Sequence, residues 1–339
     1  MSTIEVSAGI GAMIVAIAEA RGVDPAGLIA ASAFDPKRGA DPDARIPIAT
    51  EQLLWHEAAT RAADDAFGVH AAELVQPGAF DVLDYAVRTA PTLRSALERL
   101  VRYNRLVHDV AVWTLVPRGA VLRVEHTFRV DSVTQHRHSA EFTIGSIVTI
   151  GTQIAGERVL TRAVGFRHAR PASVEANAEL RRLFGVEPAF LQPVNYVELD
   201  AAFVDRANPK SDPALSRVIE RHAESLLAAR PEPTLGTVDR VRRILAGALG
   251  EGDITLAGVA QKLKMSERSL QRRLADDGVG FDALLDEVRR DLALRYLADP
   301  KIAIAEVAYL LGYSEPSPFH RAFKRWTGKT PTEARKQAA

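Results

Sequence analysis

The stretch that decides the C-terminal fold runs from Leu256-Ala257-Gly258-Val259-Ala260 to Ser266-Glu267-Arg268-Ser269-Leu270-Gln271-Arg272-Arg273-Leu274. It returns as Ile304-Ala305-Glu306-Val307-Ala308 to Gly312-Tyr313-Ser314-Glu315, followed by Phe319-His320-Arg321-Ala322-Phe323-Lys324-Arg325. The two Val-Ala steps lie 48 positions apart, and so do Ser266 and Ser314. Each copy has a short support helix, a tight turn and a second helix that presents its first residues outward. These are the parts of a helix-turn-helix, and a repeat of it implies DNA read at two neighbouring places.

In the first copy Leu256, Val259, Ala260 and Leu263 make the inner side of the support helix, and Leu270 and Leu274 face back to it. Ser266 suits the N-cap, where its oxygen takes a free amide of the first turn. Glu267 suits the positive end of the helix dipole. Arg268, Gln271 and Arg272 are left on the outer face, where Arg matches the two acceptors of guanine and Gln matches adenine. Arg273, at the edge, is expected on phosphate. The bland alternative for this face is a solvated charged surface.

In the second copy Ile304, Val307, Ala308 and Leu311 make the support side, Gly312 the left-handed turn, and Ser314 the expected cap. Phe319 and Phe323 replace the two leucines. Ser317, His320 and Arg321 face outward, with Lys324 and Arg325 near the DNA backbone. His320 is open to three roles: reading a base, stacking, or facing solvent. Pro316 and Pro318 fit a first helical turn, where no amide is needed. They offer no hydrogen bonds to bases, so weaker direct readout is expected here. Between the copies, residues 281–298 read as one helix of about 27 Å, a spacer suited to the ~34 Å repeat of one DNA turn.

The rest of the chain sets limits. At 339 residues and 47% apolar content it suits about two soluble domains. It has no Cys, which excludes disulfides, thiolate metal sites and Cys nucleophiles. Neither a signal peptide nor a run of 18 apolar residues is found, so a cytoplasmic protein with no membrane partner is expected. The net charge of +0 hides an asymmetry: from Leu235 onward there are 18 basic and 14 acidic residues. That modest basic excess favours a polyanionic partner.

Ala229 to Gly236 holds two prolines and a glycine, the expected linker (229–236) between a domain at 1–228 and another at 237–339. The first reads as α+β. Helices are expected at 10–19, 50–62, 92–108 and 215–227, strands at 111–116, 121–128, 159–168 and 194–199, and a helix at 139–154. Leu215, Val218, Ile219, His222 and Leu226 show the helical spacing of the segment 215–227. The C-terminal domain reads as all-α, with helix-turn-helix units at about 255–275 and 303–326 joined by the long helix.

The region 237–335 resembles the DNA-binding domain of the AraC/XylS transcription regulators. Gly312-Tyr313-Ser314-Glu315, Phe319 to Gly328 and Thr330-Pro331 match its second-unit signature, and Met265-Ser266 with Leu270-Gln271-Arg272-Arg273-Leu274 matches the first. Two departures stand out. Lys264 occupies the turn position where the family tends to have Gly, which implies a strained or differently shaped turn, and Pro318 is unusual. The N-terminal part resembles the arabinose-binding-like sensor of one branch, through Ile46-Pro47, Leu54-Trp55, Phe67-Gly68-Val69, Pro77-Gly78-Ala79-Phe80, Ala90 to Leu97, Arg102-Tyr103 and Phe166-Arg167-His168.

The resemblance implies a promoter-binding protein, an activator rather than a repressor, controlled by a small-molecule effector. Tyr85, Tyr103, His108, His138 and Phe142 are candidates for an effector pocket, which mixes aromatic walls with few polar groups; ordinary core packing is the alternative. The expected partners are double-stranded DNA and the effector, with RNA polymerase and a second copy of the chain as further candidates. Gln135-His136-Arg137-His138 with Glu141 lacks a specific zinc spacing, so no metal and no cofactor are expected. No Gly-x-Ser-x-Gly elbow, phosphate loop or His-Glu-x-x-His is present, so an enzyme is not expected. The alternatives from other classes are an architectural DNA-binding protein without effector and an enzyme fused to a DNA-binding domain.

Overall fold

The computed structural model describes residues 4–129, 135–230, 236–249, 254–297 and 302–338. The chain forms two compact units, one within residues 3–233 and one from 234 onward. The N-terminal unit opens with β1 (Glu5–Ser7), α1 (Ala8–Ala20), α2 (Pro25–Ser32), α3 (Pro36–Gly39), β2 (Arg45–Pro47), α4 (Ile48–Ala62), α5 (Phe67–Glu73), α6 (Asp81–Arg88) and α7 (Leu93–Tyr103). It continues with β3 (Ala111–Arg118), β4 (Val121–Phe128), α8 (Arg137–Ala155), β5 (Thr161–Gly165), α9 (Val174–Phe184), β6 (Asn195–Asp200), α10 (Ala201–Val204) and α11 (Pro213–Ala229). The α+β reading therefore holds. β1 and β2 pair with each other, and the main sheet runs β3-β4-β6-β5 with antiparallel neighbours.

Local chemistry explains the main boundaries. Thr92 caps α7 by accepting the Ser95 amide at 3.1 Å. The expected helix 92–108 is shorter in fact: it tightens into a 3-10 turn at Asn104–Leu106. In β4 the alternation works as read, with Leu122, Val124 and His126 buried. α8 carries buried residues on most sides and along its length, among them His138, Ser139, Glu141 and Ser146, as a helix enclosed by others must. It lies against α4, α5, α7, α9 and β6. Two glycines let α5 come close. A Cβ on Gly68 would lie 2.4 Å from the His138 carbonyl oxygen, and one on Gly145 would lie 2.8 Å from the Ala72 Cβ.

α11 contains the helix expected at 215–227. Its buried residues are Ser216 and Ala223, while Leu215 and Val218 are 48% and 52% exposed. The small side chains turn inward because α11 packs closely on α6 and α7.

The second unit is all-helical: α12 (Thr237–Ala248), α13 (Leu256–Lys262), α14 (Glu267–Asp276), α15 (Phe281–Leu297), α16 (Ile304–Leu310), α17 (Pro316–Thr327) and α18 (Pro331–Ala338). One core serves both repeats, running from Val241, Val259 and Leu270 through Leu284 and Val288 to Val307 and Phe319. α15 thus carries the packing between the two halves, beyond spacing them.

Candidate nucleic-acid interface and ligand cavity

The two support helices end in the same way. In the first, the Lys264 amide donates to Gln261 O at 3.0 Å and the Met265 amide to Ala260 O at 2.9 Å. In the second, the Gly312 amide donates to Tyr309 O and the Tyr313 amide to Ala308 O, both at 3.0 Å. This is the Schellman end, which needs a left-handed residue. Gly312 supplies it at φ +79 and Lys264 at φ +56. The first support helix therefore ends in the same conformation as the second, and Lys264 carries the steric strain of a side chain in the left-handed region.

Ser266 caps α14, accepting the Ser269 amide at 3.2 Å. Leu270 and Leu274 are buried, and Arg268, Gln271, Arg272 and Arg273 are exposed. α17 corrects the expected cap: Glu315, not Ser314, is its N-cap, and no side chain bonds the first turn. The physical reason is one extra residue in the second turn. The caps 266 and 315 lie 49 apart, as do the core pairs Leu270/Phe319 and Leu274/Phe323. Pro316 and Pro318 sit in the first turn of α17, where missing amides cost nothing. Ser317, Arg321, Lys324 and Arg325 are exposed and His320 is half-buried. The 49-residue offset places Arg321 where α14 has Arg272, and His320 where it has Gln271. Arg325 also pairs with Asp286 of α15 at 2.8 Å. Arg289 of α15 donates to the Leu311 carbonyl at 3.1 Å and lies over the Tyr313 ring, so the spacer helix braces the second turn.

The N-terminal unit holds a cavity of about 120 Å3, partly open, between α4, α6, α7, α8 and the inner side of β3 and β4. Its wall is mainly Trp55, Leu97, Trp113, Phe128, Phe142 and other apolar side chains. Of the five pocket candidates, His108 and Phe142 line it. The other three lie off its wall. Leu83 and Val87 of α6 face the cavity, and Tyr85, between them, is turned outward and is 46% exposed. Tyr103 faces α11, its hydroxyl 3.4 Å from Glu224 Oε1. His138 faces α5 and accepts the Gly68 amide at 3.3 Å.

Glu51, His126 and Asp84 also line the cavity and were not among the candidates. Glu51 was detectable as an acid on the buried side of α4, one turn before Trp55, and His126 as an inward position of β4. Glu51 accepts from Trp55 Nε1 at 3.0 Å and from Gln52 Nε2 at 2.9 Å. Burial raises its pKa to about 7. His108 Nδ1 accepts the Val110 and Ala111 amides at 3.3 and 3.1 Å. The proton of the neutral ring is therefore on Nε2, which has no hydrogen-bond partner and lies 3.8 Å from Glu51 Oε2. Burial, then the nearby His126 and Arg45, hold His108 down to about 3, and burial alone holds His126 there too.

A sheet-and-helix unit with a largely apolar cavity, joined in one chain to paired helix-turn-helix units, defines a DNA-binding regulator. The arabinose-binding domain of AraC transcription regulators matches residues 22–208, and a helix-turn-helix domain matches 259–337. The chain belongs to the AraC family of transcription regulators. It is 29% identical over 316 residues to the ornithine utilization regulator of Pseudomonas aeruginosa, covering 93% of this chain and 91% of the relative. It is 30% identical over 323 residues to the HTH-type transcriptional regulator Rv1395 of Mycobacterium tuberculosis, covering 94% and 92%. It is 28% identical over 271 residues to VirS of that organism, covering 79% and 78%.

Proposed function

We propose that this regulator docks α14 and α17 in successive major grooves of one operator. Arg268, Gln271, Arg272 and Arg321 discriminate bases, with Ser317 and His320 beside them. Arg273, Lys324 and Arg325 hold phosphates and set the register. A small molecule in the N-terminal cavity controls that docking, and it does so only if it binds the two regulatory states with different affinity. The observation that carries the reading is the pair of exposed basic helix faces raised on one shared core. Domain limits of 1–228 and 237–339, with 229–236 as linker, belong to the same reading.

Selection from a random duplex library at physiological salt tests it. Two short sequence blocks about one helical turn apart are expected. Recovery without sequence preference, by the full chain and the C-terminal region alike, would instead mean architectural binding. Activation is the sense expected from the resemblance. A reporter placed behind the recovered operator rises with the protein in that case and falls if it represses.

A further inference from the structure

The cavity wall limits what it holds. Among the described residues that line it there is no Lys or Arg, while Glu51 and Asp84 are both acidic. Asp84 already takes Arg88 Nε at 2.8 Å through one oxygen, and its other oxygen is buried without a donor. An anion would meet two carboxyl groups and no cation. A zwitterionic amino acid would leave its carboxylate unpaired. A sugar would press several hydroxyls against aromatic and aliphatic walls, each at a desolvation cost. An apolar cavity of about 150 Å3 is known to take a benzene-sized guest, so about 120 Å3 sets the scale at one ring or a short branched chain.

Besides the Asp84 oxygen and His126 Nδ1, the wall carries unused hydrogen-bonding capacity on two neighbouring groups, His108 and Glu51. His108 is 8% exposed, and its Nε2–H has nothing to donate to. Glu51 Oε2, 3.8 Å away, keeps a free lone pair after accepting from Gln52. The two atoms are 3.8 Å apart, so a single hydroxyl oxygen placed between them would lie within bonding distance of both. It accepts from His108 and donates to a Glu51 carboxylate, or accepts from the acid form. An ammonium has no lone pair for His108, and a hydrocarbon leaves both atoms unpaired.

We propose that this cavity binds an uncharged, mainly apolar alcohol or phenol of about one ring, with its hydroxyl seated between His108 Nε2 and Glu51. The proposal rests on reading the N-terminal unit as the sensor, and it names the effector's chemical class.

The test is a titration of the full chain with four compounds of nearly one shape: benzyl alcohol, ethylbenzene, benzylammonium and benzoate. Binding is read from the emission of Trp55 and Trp113, which stand on the wall, and from the shift in thermal midpoint. Benzyl alcohol should bind about tenfold or more tighter than each of the others, the size of one well-made buried hydrogen bond. Ile150→Phe, which fills the cavity from α8, should abolish its binding in a chain whose circular dichroism is unchanged. Equal or tighter binding of benzylammonium or benzoate would overturn the proposal, as would no binding by any of the four. So would unchanged alcohol binding in folded Ile150→Phe. If that variant does not fold, the ranking on the unmodified chain decides. Operator selection uses none of these probes, so failure here leaves the DNA-binding reading standing or falling by its own result.

Discussion

Lys264 and Gly312 occupy the same left-handed turn position in the two repeats, at φ +56 and φ +79, with the same pair of backbone hydrogen bonds around them. Only one of the two is a glycine. The repeat has kept the turn's geometry where the residue type disfavours it. Lys264→Gly should therefore stabilise the C-terminal unit by about 1 kcal/mol, since strain of ~1–2 kcal/mol is released against a small entropic loss. Urea unfolding of the full chain, followed by hydrogen exchange in α13 and α14, measures it. A lower midpoint for the variant would show that the Lys264 side chain makes a contact worth more than the strain.

Arg272 and Arg321 stand at equivalent places on α14 and α17, both exposed, one residue after Gln271 and His320. An arginine at such a place can pair with guanine through two parallel hydrogen bonds. Arg272→Ala should weaken operator binding by about 1–3 kcal/mol and relax preference at one base pair. Selection repeated with the variant reads both effects, and an unchanged site would remove Arg272 from the reading face.

Lys324 has a different task. It lies in the last turn of α17 beside Arg325, which is already paired with Asp286. An exposed pair of that kind contributes little to stability and leaves Arg325 free to exchange partners. Lys324→Ala should weaken all duplexes nearly equally and lower the slope of log affinity against log salt by about one unit. Loss confined to one sequence would argue for base contact instead.

Glu51 makes the N-terminal unit's stability depend on pH in a stated direction. Its folded pKa is about 7 against an ordinary 4.5. The folded state therefore holds a proton that the unfolded chain releases, and stability falls as pH rises from 4.5 through 7. Buried His108 and His126, held down to about 3, act oppositely: stability falls as pH drops below 6.5. Glu51→Gln removes only the first effect. Relative to the unmodified chain, the variant should gain as pH rises across 4.5–7, by up to ~3 kcal/mol from a shift of that size. Thermal midpoints at pH 5 and 8 provide the comparison, and a constant gap would mean that Glu51 titrates normally.

The repeat made the C-terminal unit readable because each position could be checked against its copy. Ser314 was misread because the copies agree up to the turn and then slip by one residue, which only the Leu270/Phe319 pairing reveals. The cavity was half readable. His108 and Phe142 stand on its wall, but Tyr85 and Tyr103 were chosen by residue type, and type does not say which way a helix faces. The helix α11 was legible, but its inner face was not. Small Ser216 and Ala223 are buried by close helix approach, and hydropathy gives them little weight.

That close approach is testable at Gly68. Glycine in a helix costs about 1 kcal/mol relative to alanine, so Gly→Ala normally stabilises. Gly247 in α12 is such a case: it is exposed, and a Cβ there meets nothing within 4 Å. At Gly68 the added Cβ would lie 2.4 Å from the His138 carbonyl oxygen and 2.9 Å from its Cα. Both are backbone atoms at the start of α8, and no rotamer change moves them. Separation of α5 from α8 would be the remaining route, costing about 1–3 kcal/mol as overpacking does. Gly247→Ala should raise stability by up to ~1 kcal/mol while Gly68→Ala lowers it. Equal gains at both sites would mean that α5 and α8 move apart freely, and the tight crossing would then not be what holds α8 at the centre of its unit.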